Sequence, residues 1–240
     1  MRFENFIVDE SNEFAYKVSL AVAETPCIYN PLIICGASGY GKTHLINAIH
    51  RVMEEKHGLR VVALECNELL ETFATMVKRD KCIEFYDWFK GSDLVIIENI
   101  QDLRGKQSSQ YEVARMIHKA VQDNKQVVCT STKSINETVF KELRGFLKSR
   151  CLCMLEANIA TPSYKLKKQY LEYLIKMEDV ELHEDQQKMI ISYTSTIHQI
   201  RMVIKQAKLY SRIKKCEINS EILLLMLKKE QGGKKNENFY

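Results

Sequence analysis

Residues 36–43 read Gly-Ala-Ser-Gly-Tyr-Gly-Lys-Thr, the G-x-x-x-x-G-K-[ST] spacing of a phosphate-binding loop. No other stretch constrains the chain as tightly. Leu32–Cys35 ahead of it is a short apolar run with the pattern of a buried strand, and His44–Met53 behind it carries apolar residues at helical spacing. A strand, a glycine-rich turn and a helix N-terminus make an anion site. The free first-turn N–H groups and the positive end of the helix dipole face whatever the turn encloses. Gly36, Ala37, Ser38, Gly39, Tyr40 and Gly41 would wrap the phosphates, Lys42 would reach the outer ones, and the Thr43 hydroxyl would ligate magnesium. The expected ligand is a nucleoside triphosphate, ATP or GTP.

Such a loop implies an α/β fold, and the chain supplies one. Apolar strand patterns recur at Arg60–Glu65, Asp93–Glu98, Gln126–Thr130 and Leu152–Leu155, separated by helical patterns over 67–78, 81–89, 107–123 and 135–148. Continuously apolar strands between helices predict a parallel sheet covered on both faces. Beyond Thr161-Pro162, an N-cap followed by proline at the first helical position, the strand pattern stops. Helices over 162–178, 184–193, 196–213 and 219–229 predict a small all-helical lid. The expected organisation is an α/β domain over 1–158, a helical lid over 159–230 and a flexible polar tail over 231–240. A nucleotide-binding parallel sheet followed by a helical lid is the layout of an AAA+ module.

Composition narrows the class further. With 45% hydrophobic and 28% charged residues in 240, the chain is ordinary for a soluble globular protein. No apolar run reaches the ~18–20 residues that span a bilayer, and Met1–Phe6 has no signal-peptide character, so no membrane partner and a cytoplasmic location are expected. Of the eight cysteines only Cys151 and Cys153 are close. A lone C-x-C, expected on a strand, is poor evidence for zinc or a disulfide. Buried reduced thiols are expected. A net charge of +4 is too mild to announce nucleic acid by itself. The basic residues clustered at Lys165, Lys167, Lys168, Lys205, Lys208, Arg212, Lys214, Lys215, Lys228, Lys229, Lys234 and Lys235 mostly read as solvated helix faces rather than a phosphate track.

A phosphate loop needs a carboxylate for magnesium at the end of a neighbouring strand, and Glu98 stands there. Asn99 follows, where AAA+ enzymes usually carry the acid that polarises the attacking water. An amide cannot accept a proton, so slow hydrolysis is expected. Thr130-Ser131-Thr132 either hydrogen-bonds the γ-phosphate or simply forms the turn after its strand. Arg150, between a predicted helix and a predicted strand, is either an arginine finger for a neighbouring subunit or a surface residue at a helix end.

The segment Asn30–Ile49, which contains the loop, resembles the corresponding region of the DnaA family of bacterial replication initiators. So does the opening, Phe3–Val8 followed by Ser11-Asn12 and Ala21–Glu24. In that family the opening packs against adenine. The resemblance therefore implies ATP over GTP and adds Phe6, Asn12 and His44 to the cofactor contacts. It further implies that Glu98-Asn-Ile-Gln101 replaces Asp-Asp-Ile-Gln, that Thr132 replaces the acid of sensor 1, and that Leu147–Arg150 is the arginine-finger box. His198 falls at the sensor 2 arginine, with Arg201 as a substitute. Lys106 matches a lysine that contacts single-stranded DNA, and Ser108 replaces a neighbouring arginine. The candidate catalytic positions are thus Glu98, Asn99, Thr132, Arg150 and His198, with Thr43 and Glu98 for the metal.

The resemblance runs from residue 3 to about residue 229. A helix-turn-helix origin-binding domain is expected to be missing, as is the N-terminal helicase-interaction domain, so base-specific readout of duplex DNA is not expected. The layout is similar to the lid-terminated regulatory relative that inactivates the initiator, although the clamp-binding peptide of that relative is not expected here, none being visible before Phe3. The expected function is a nucleotide-gated interaction module of replication initiation or its control, with weak hydrolysis. Its expected cofactors are ATP or ADP and Mg²⁺, and its expected partners are AAA+ subunits and single-stranded DNA. Two alternatives stay open: an active ATPase that remodels DNA or loads a helicase, and a non-enzymatic adaptor that binds the initiator.

Overall fold

In the computed structural model, residues 1–135 and 145–232 are described, except for side chains at Cys82, Trp88, Arg150, 145–147 and 229–232. Helix α1 (Glu13–Glu24) precedes β1 (Leu32–Cys35), α2 (Lys42–His57), β2 (Val61–Glu65), α3 (Cys66–Lys78), α4 (Cys82–Lys90), β3 (Leu94–Glu98), α5 (Gln107–Gln122) and β4 (Gln126–Ser131). After residues 136–144 the chain continues with α6 (Gly145–Leu152), β5 (Leu155–Asn158) and then helices only: α7 (Tyr164–Glu178), α8 (Glu184–Tyr193), α9 (Ile197–Lys214) and α10 (Ser220–Gly232). The polar tail from 233 on lies outside the described residues, as does most of the helix expected over 135–148.

The five strands form one sheet in the order β2-β3-β4-β1-β5, and every pairing is parallel. All four residues of β1 and all six of β4 are buried, which is why these strands read as unbroken apolar runs rather than alternating ones. Side chains still alternate between faces. Ile33, Val95, Ile97, Val127 and Cys129 share one core with Leu69, Phe85, Val113, Met116 and Ile117 from the helices. Ile34, Ile96 and Val128 turn the other way, where α2 touches β2 and β3 and α1 touches β5. Each such buried aliphatic side chain is worth roughly 1.5–3 kcal/mol of apolar transfer, so the sheet holds the loop that leaves β1, between β4 and β5.

The chain divides into two compact units. The helical unit comprises α7–α10 together with Ile7–Ser11 and Ser38–Gly41. Its core is built from Leu171, Leu174, Ile190, Ile200, Val203, Ile204, Leu223 and Met226. Thr196 caps α9 with a reciprocal box: its Oγ1 accepts from Gln199 N at 3.1 Å while Gln199 Oε1 accepts from Thr196 N at 3.2 Å. Such a cap contributes about 1 kcal/mol.

Four sequence expectations need correction. The apolar run Leu152–Leu155 is not a strand: α6 runs to Leu152, a turn closes with Met154 N on Cys151 O at 3.1 Å, and β5 starts at Leu155. A short apolar run fits a buried helix end as well as a strand. Arg150 accordingly lies inside α6, not between a helix and a strand. Helix α7 is capped by Ser163, whose Oγ accepts from Leu166 N at 3.0 Å, instead of by Thr161. Of the described cysteines, Cys35, Cys66, Cys129 and Cys151 are buried, whereas Cys27, Cys153 and Cys216 are exposed. Helix α1 is an element the motif pattern passed over.

Candidate functional site

β1 delivers the chain to Gly36, where an added Cβ would lie 2.8 Å from the Ile159 carbonyl oxygen. Only glycine lets the backbone leave the sheet this close to the strand-end neighbour. Lys42 opens α2 and is buried, with Nζ donating to Gly36 O at 2.6 Å and to Ala37 O at 3.2 Å. The ammonium is thus curled over the carbonyls of its own loop. Burial pushes the Lys42 pKa down, against the opposing pull of Cys35 and Glu98. Ala37 and Ser38 are exposed at the turn.

Thr43, the second residue of α2, is exposed and donates through Oγ1 to Glu98 Oε2 at 3.4 Å. Burial raises the Glu98 pKa, as does Glu65, its register partner on β2. The Thr43 hydrogen bond and Lys42 pull it back down. A hydroxyl and a carboxylate facing each other at the loop are hard oxygen donors of the kind magnesium takes alongside phosphate oxygens. These residues fit the ion.

The tip of the loop belongs to the helical unit. Gly39 has φ +81°, and a Cβ there would come within 3.0 Å of Thr196 Oγ1 and His198 Cβ. The Tyr40 hydroxyl lies 3.1 Å from Thr161 Oγ1, and Gly41 has φ 109°. His198 is exposed in the first turn of α9, with Arg201 one turn further along the same face.

The opening segment forms an aromatic group in the larger unit. Phe6 stacks on Tyr16 (centroids 5.8 Å, planes 16° apart) and meets the His44 ring edge-on at 5.2 Å. His44 Nε2 donates to Arg2 O at 2.8 Å, tying the opening to α2. Asn12 is buried as the N-cap of α1.

At the exits of β3 and β4, Asn99 takes a left-handed conformation (φ 60°, ψ 47°), which Asn tolerates better than most residues. Its N–H donates to Thr130 Oγ1 at 3.0 Å. Thr132 N donates to Gln101 Oε1 at 3.2 Å. Lys106 is the N-cap residue of α5 and donates to Asn67 Oδ1 at 2.9 Å. The Arg150 side chain lies outside the described residues. Glu65 and Gln101 are neighbours that motif reading missed. Gln101 stands inside the quoted Glu98–Gln101 run, but nothing in a run of residues says where an amide reaches.

A parallel sheet with the phosphate loop on β1 and a carboxylate at the exit of β3, continued by a helical unit, defines an AAA+ nucleoside-triphosphate-binding module. The particular family follows from sequence. The chain belongs to the bacterial DnaA ATPase domain family, whose family model matches residues 1–157. It is 29% identical over 229 residues to the chromosomal replication initiator protein DnaA of Borrelia garinii subsp. bavariensis, and equally to that of Borreliella burgdorferi. Each alignment takes in 94% of this chain and 47% of the relative, so the chain spans about half the length of the curated relatives it matches. Domain III of the Thermotoga maritima replication initiation protein DnaA superposes with a TM-score of 0.87 at 28% identity, covering 95% of both chains. A replication initiator DnaA bound to AMPPCP and single-stranded DNA superposes at 0.80 with 26% identity, over 89% of this chain and 67% of that one. AMPPCP-bound DnaA from Aquifex aeolicus gives 0.79 at 27% identity, over 87% of this chain and 65% of that one.

Proposed function

We propose that this chain is an ATP-binding AAA+ module of replication initiation or its control, acting as a nucleotide-gated interaction module with weak hydrolysis. The observation that carries the reading is the convergence of Lys42, Thr43 and Glu98 at the mouth of the loop. On this reading Gly36–Thr43 hold the phosphates, and Lys42 leaves its loop carbonyls for the outer phosphate oxygens. Magnesium, held by Thr43 and Glu98, supplies positive charge against the phosphates. Phe6, with Tyr16 beneath it, Asn12 and His44 hold the adenine end, and His198 or Arg201 takes the place of the family's sensor 2 arginine.

Weak turnover follows from Asn99. A carboxylate at that position could take a proton from the attacking water, whereas an amide cannot. Thr132 offers a hydroxyl to position that water but no base. The bound state presents a surface to a second AAA+ subunit, its own copy or an initiator, with Arg150 reaching that subunit's nucleotide. Single-stranded DNA is a second partner, through Lys106. The related initiator bound to AMPPCP and single-stranded DNA supports both ligands.

The test is a calorimetric titration with ATP and Mg²⁺, with phosphate release followed on the same sample. Micromolar or tighter binding with negligible release is expected. Steady turnover would favour the motor alternative, and no binding would favour the adaptor. Lys42→Ala should weaken ATP binding about 10- to 100-fold, the worth of a charged hydrogen bond.

A further inference from the structure

We infer that Gln101 is a positioning residue that locks Asn99 to Thr132, so that the exits of β3 and β4 meet the outer phosphate of the nucleotide as one rigid piece. The inference rests on the nucleotide-binding reading above.

β4 lies between β1 and β3, and the strands are parallel, so all three end on the edge of the sheet from which the phosphate loop leaves. Asn99 and Thr132 are the first residues past β3 and β4. Two segments leaving adjacent strands at this edge have no ladder left to hold them together. Gln101 replaces it. The half-buried residue sits on the short 3-10 turn Ile100–Leu103, and both ends of its amide are in use. Oε1 accepts from Thr132 N at 3.2 Å, while Nε2 lies 3.4 Å from both Asn99 Oδ1 and Asp102 Oδ1. The partners fix the amide's orientation, since the N–H of Thr132 requires the oxygen and the two oxygens opposite require the NH₂. The left-handed backbone at Asn99 sets the side chain within reach, and Asn99 N on Thr130 Oγ1 ties the same two strands a second time.

Gln101 has no proton to take or give in a hydrolysis step, so its contribution is geometric. Asn99, in turn, has a use that a merely degraded acid would lack: its Oδ1 is one anchor of the lock. Holding Thr132 and Asn99 in place before ATP arrives removes the ordering cost from binding. That gain attaches to the γ-phosphate, because the groups being held leave the same edge of the sheet as the phosphate loop, where the outer phosphate would lie on the nucleotide-binding reading. ADP, lacking that phosphate, gains nothing from it. A ligand shifts only what it contacts differently.

The experiment compares Kd for ATP–Mg²⁺ and ADP–Mg²⁺ in the wild-type chain, Gln101→Leu, Asn99→Gly and the double variant, with thermal melts of the nucleotide-free proteins. Glycine is chosen at 99 because it keeps the left-handed conformation without strain. Gln101→Leu is expected to weaken ATP by about 3- to 10-fold and leave ADP within twofold, the size expected for one or two neutral hydrogen bonds. The double variant is expected to be no worse than Gln101→Leu alone, because partners in one network are not additive. Equal weakening of ATP and ADP, or additive losses in the double variant, would overturn the lock and leave Gln101 as an ordinary turn residue. Wild-type protein that binds neither nucleotide would instead sink the nucleotide-binding reading itself, a result distinguishable because it appears before any substitution.

Discussion

The Thr43 hydroxyl reaches the Glu98 carboxylate at 3.4 Å across 55 residues of chain. The contact joins the first turn after the phosphate loop to the end of a strand two places away in the sheet. It places a hydroxyl and a carboxylate side by side at the loop, and it puts an acid where burial and a second acid, Glu65, both work against its charge.

That electrostatic cost gives a pH-dependent prediction. The pKa of Glu98 is raised in the folded protein, so the charged form is disfavoured by folding. Below the ordinary carboxylate pKa Glu98 is protonated folded or unfolded and costs nothing. The cost develops as pH rises through the raised folded value. Glu98→Gln keeps an acceptor for Thr43 and removes the charge. Without nucleotide, it should raise the melting temperature by about 1–3 °C near pH 7.5, a figure discounted for the residue's partial exposure. The gain should vanish near pH 4. Equal melting temperatures at the higher pH would mean that the carboxylate is not strained.

Asn99→Asp supplies the missing base at a position whose left-handed backbone Asp also tolerates. Phosphate release at saturating ATP should rise by about 100-fold, the low end of a general-base contribution. An unchanged rate would contradict the account of a weakened site.

Gly39 and Gly58 make a matched pair. Both have positive φ, +81° and +63°, but a Cβ at Gly39 would strike Thr196 and His198 while one at Gly58 meets nothing within 4 Å. Each change to alanine should cost about 1–2 kcal/mol in backbone strain, or roughly 2–6 °C in melting temperature. Only Gly39→Ala should also weaken ATP binding, because only there must the loop tip move. Parallel melts and titrations of the two variants decide it.

Thiol labelling of the native protein, mapped residue by residue by mass spectrometry, should mark Cys153 and Cys216 promptly. Burial and the nearby Asp93 push the Cys27 thiol up, so it should lag at neutral pH for want of thiolate. Cys35, Cys66, Cys129 and Cys151 are buried, and burial pushes the Cys66 and Cys151 thiols up to about 12. These four should label only on unfolding, and early reaction at any of them would contradict the packing of the sheet.

Much of the molecule was legible in advance because its signals are local. The phosphate loop announces itself through eight consecutive residues whose geometry is set by their own φ angles and the next helix turn. The apolar runs of β1, β3 and β4 declare strands buried on both faces. Where local signals compete, reading failed. Leu152–Leu155 is apolar enough for a strand yet carries the end of α6 and a turn, and Thr161-Pro162 looks like a helix start although Ser163 caps α7. The exposed thiols at Cys27, Cys153 and Cys216 were likewise invisible, since a cysteine carries no mark of which side of a core it will face.

By itself, then, the chain determined its class, its phosphate-loop motif, the Glu98 carboxylate and the absence of an acid at position 99, because each of these is chemistry carried by one residue or one short run. Only the tertiary structure decided that Glu65 lies beside Glu98, that Gly39 lies against Thr196 and His198, and that Gln101 bridges Asn99 and Thr132. Those relations depend on strand order, register and the close approach of segments far apart in sequence, and they set how the site's charges and hydrogen bonds act together.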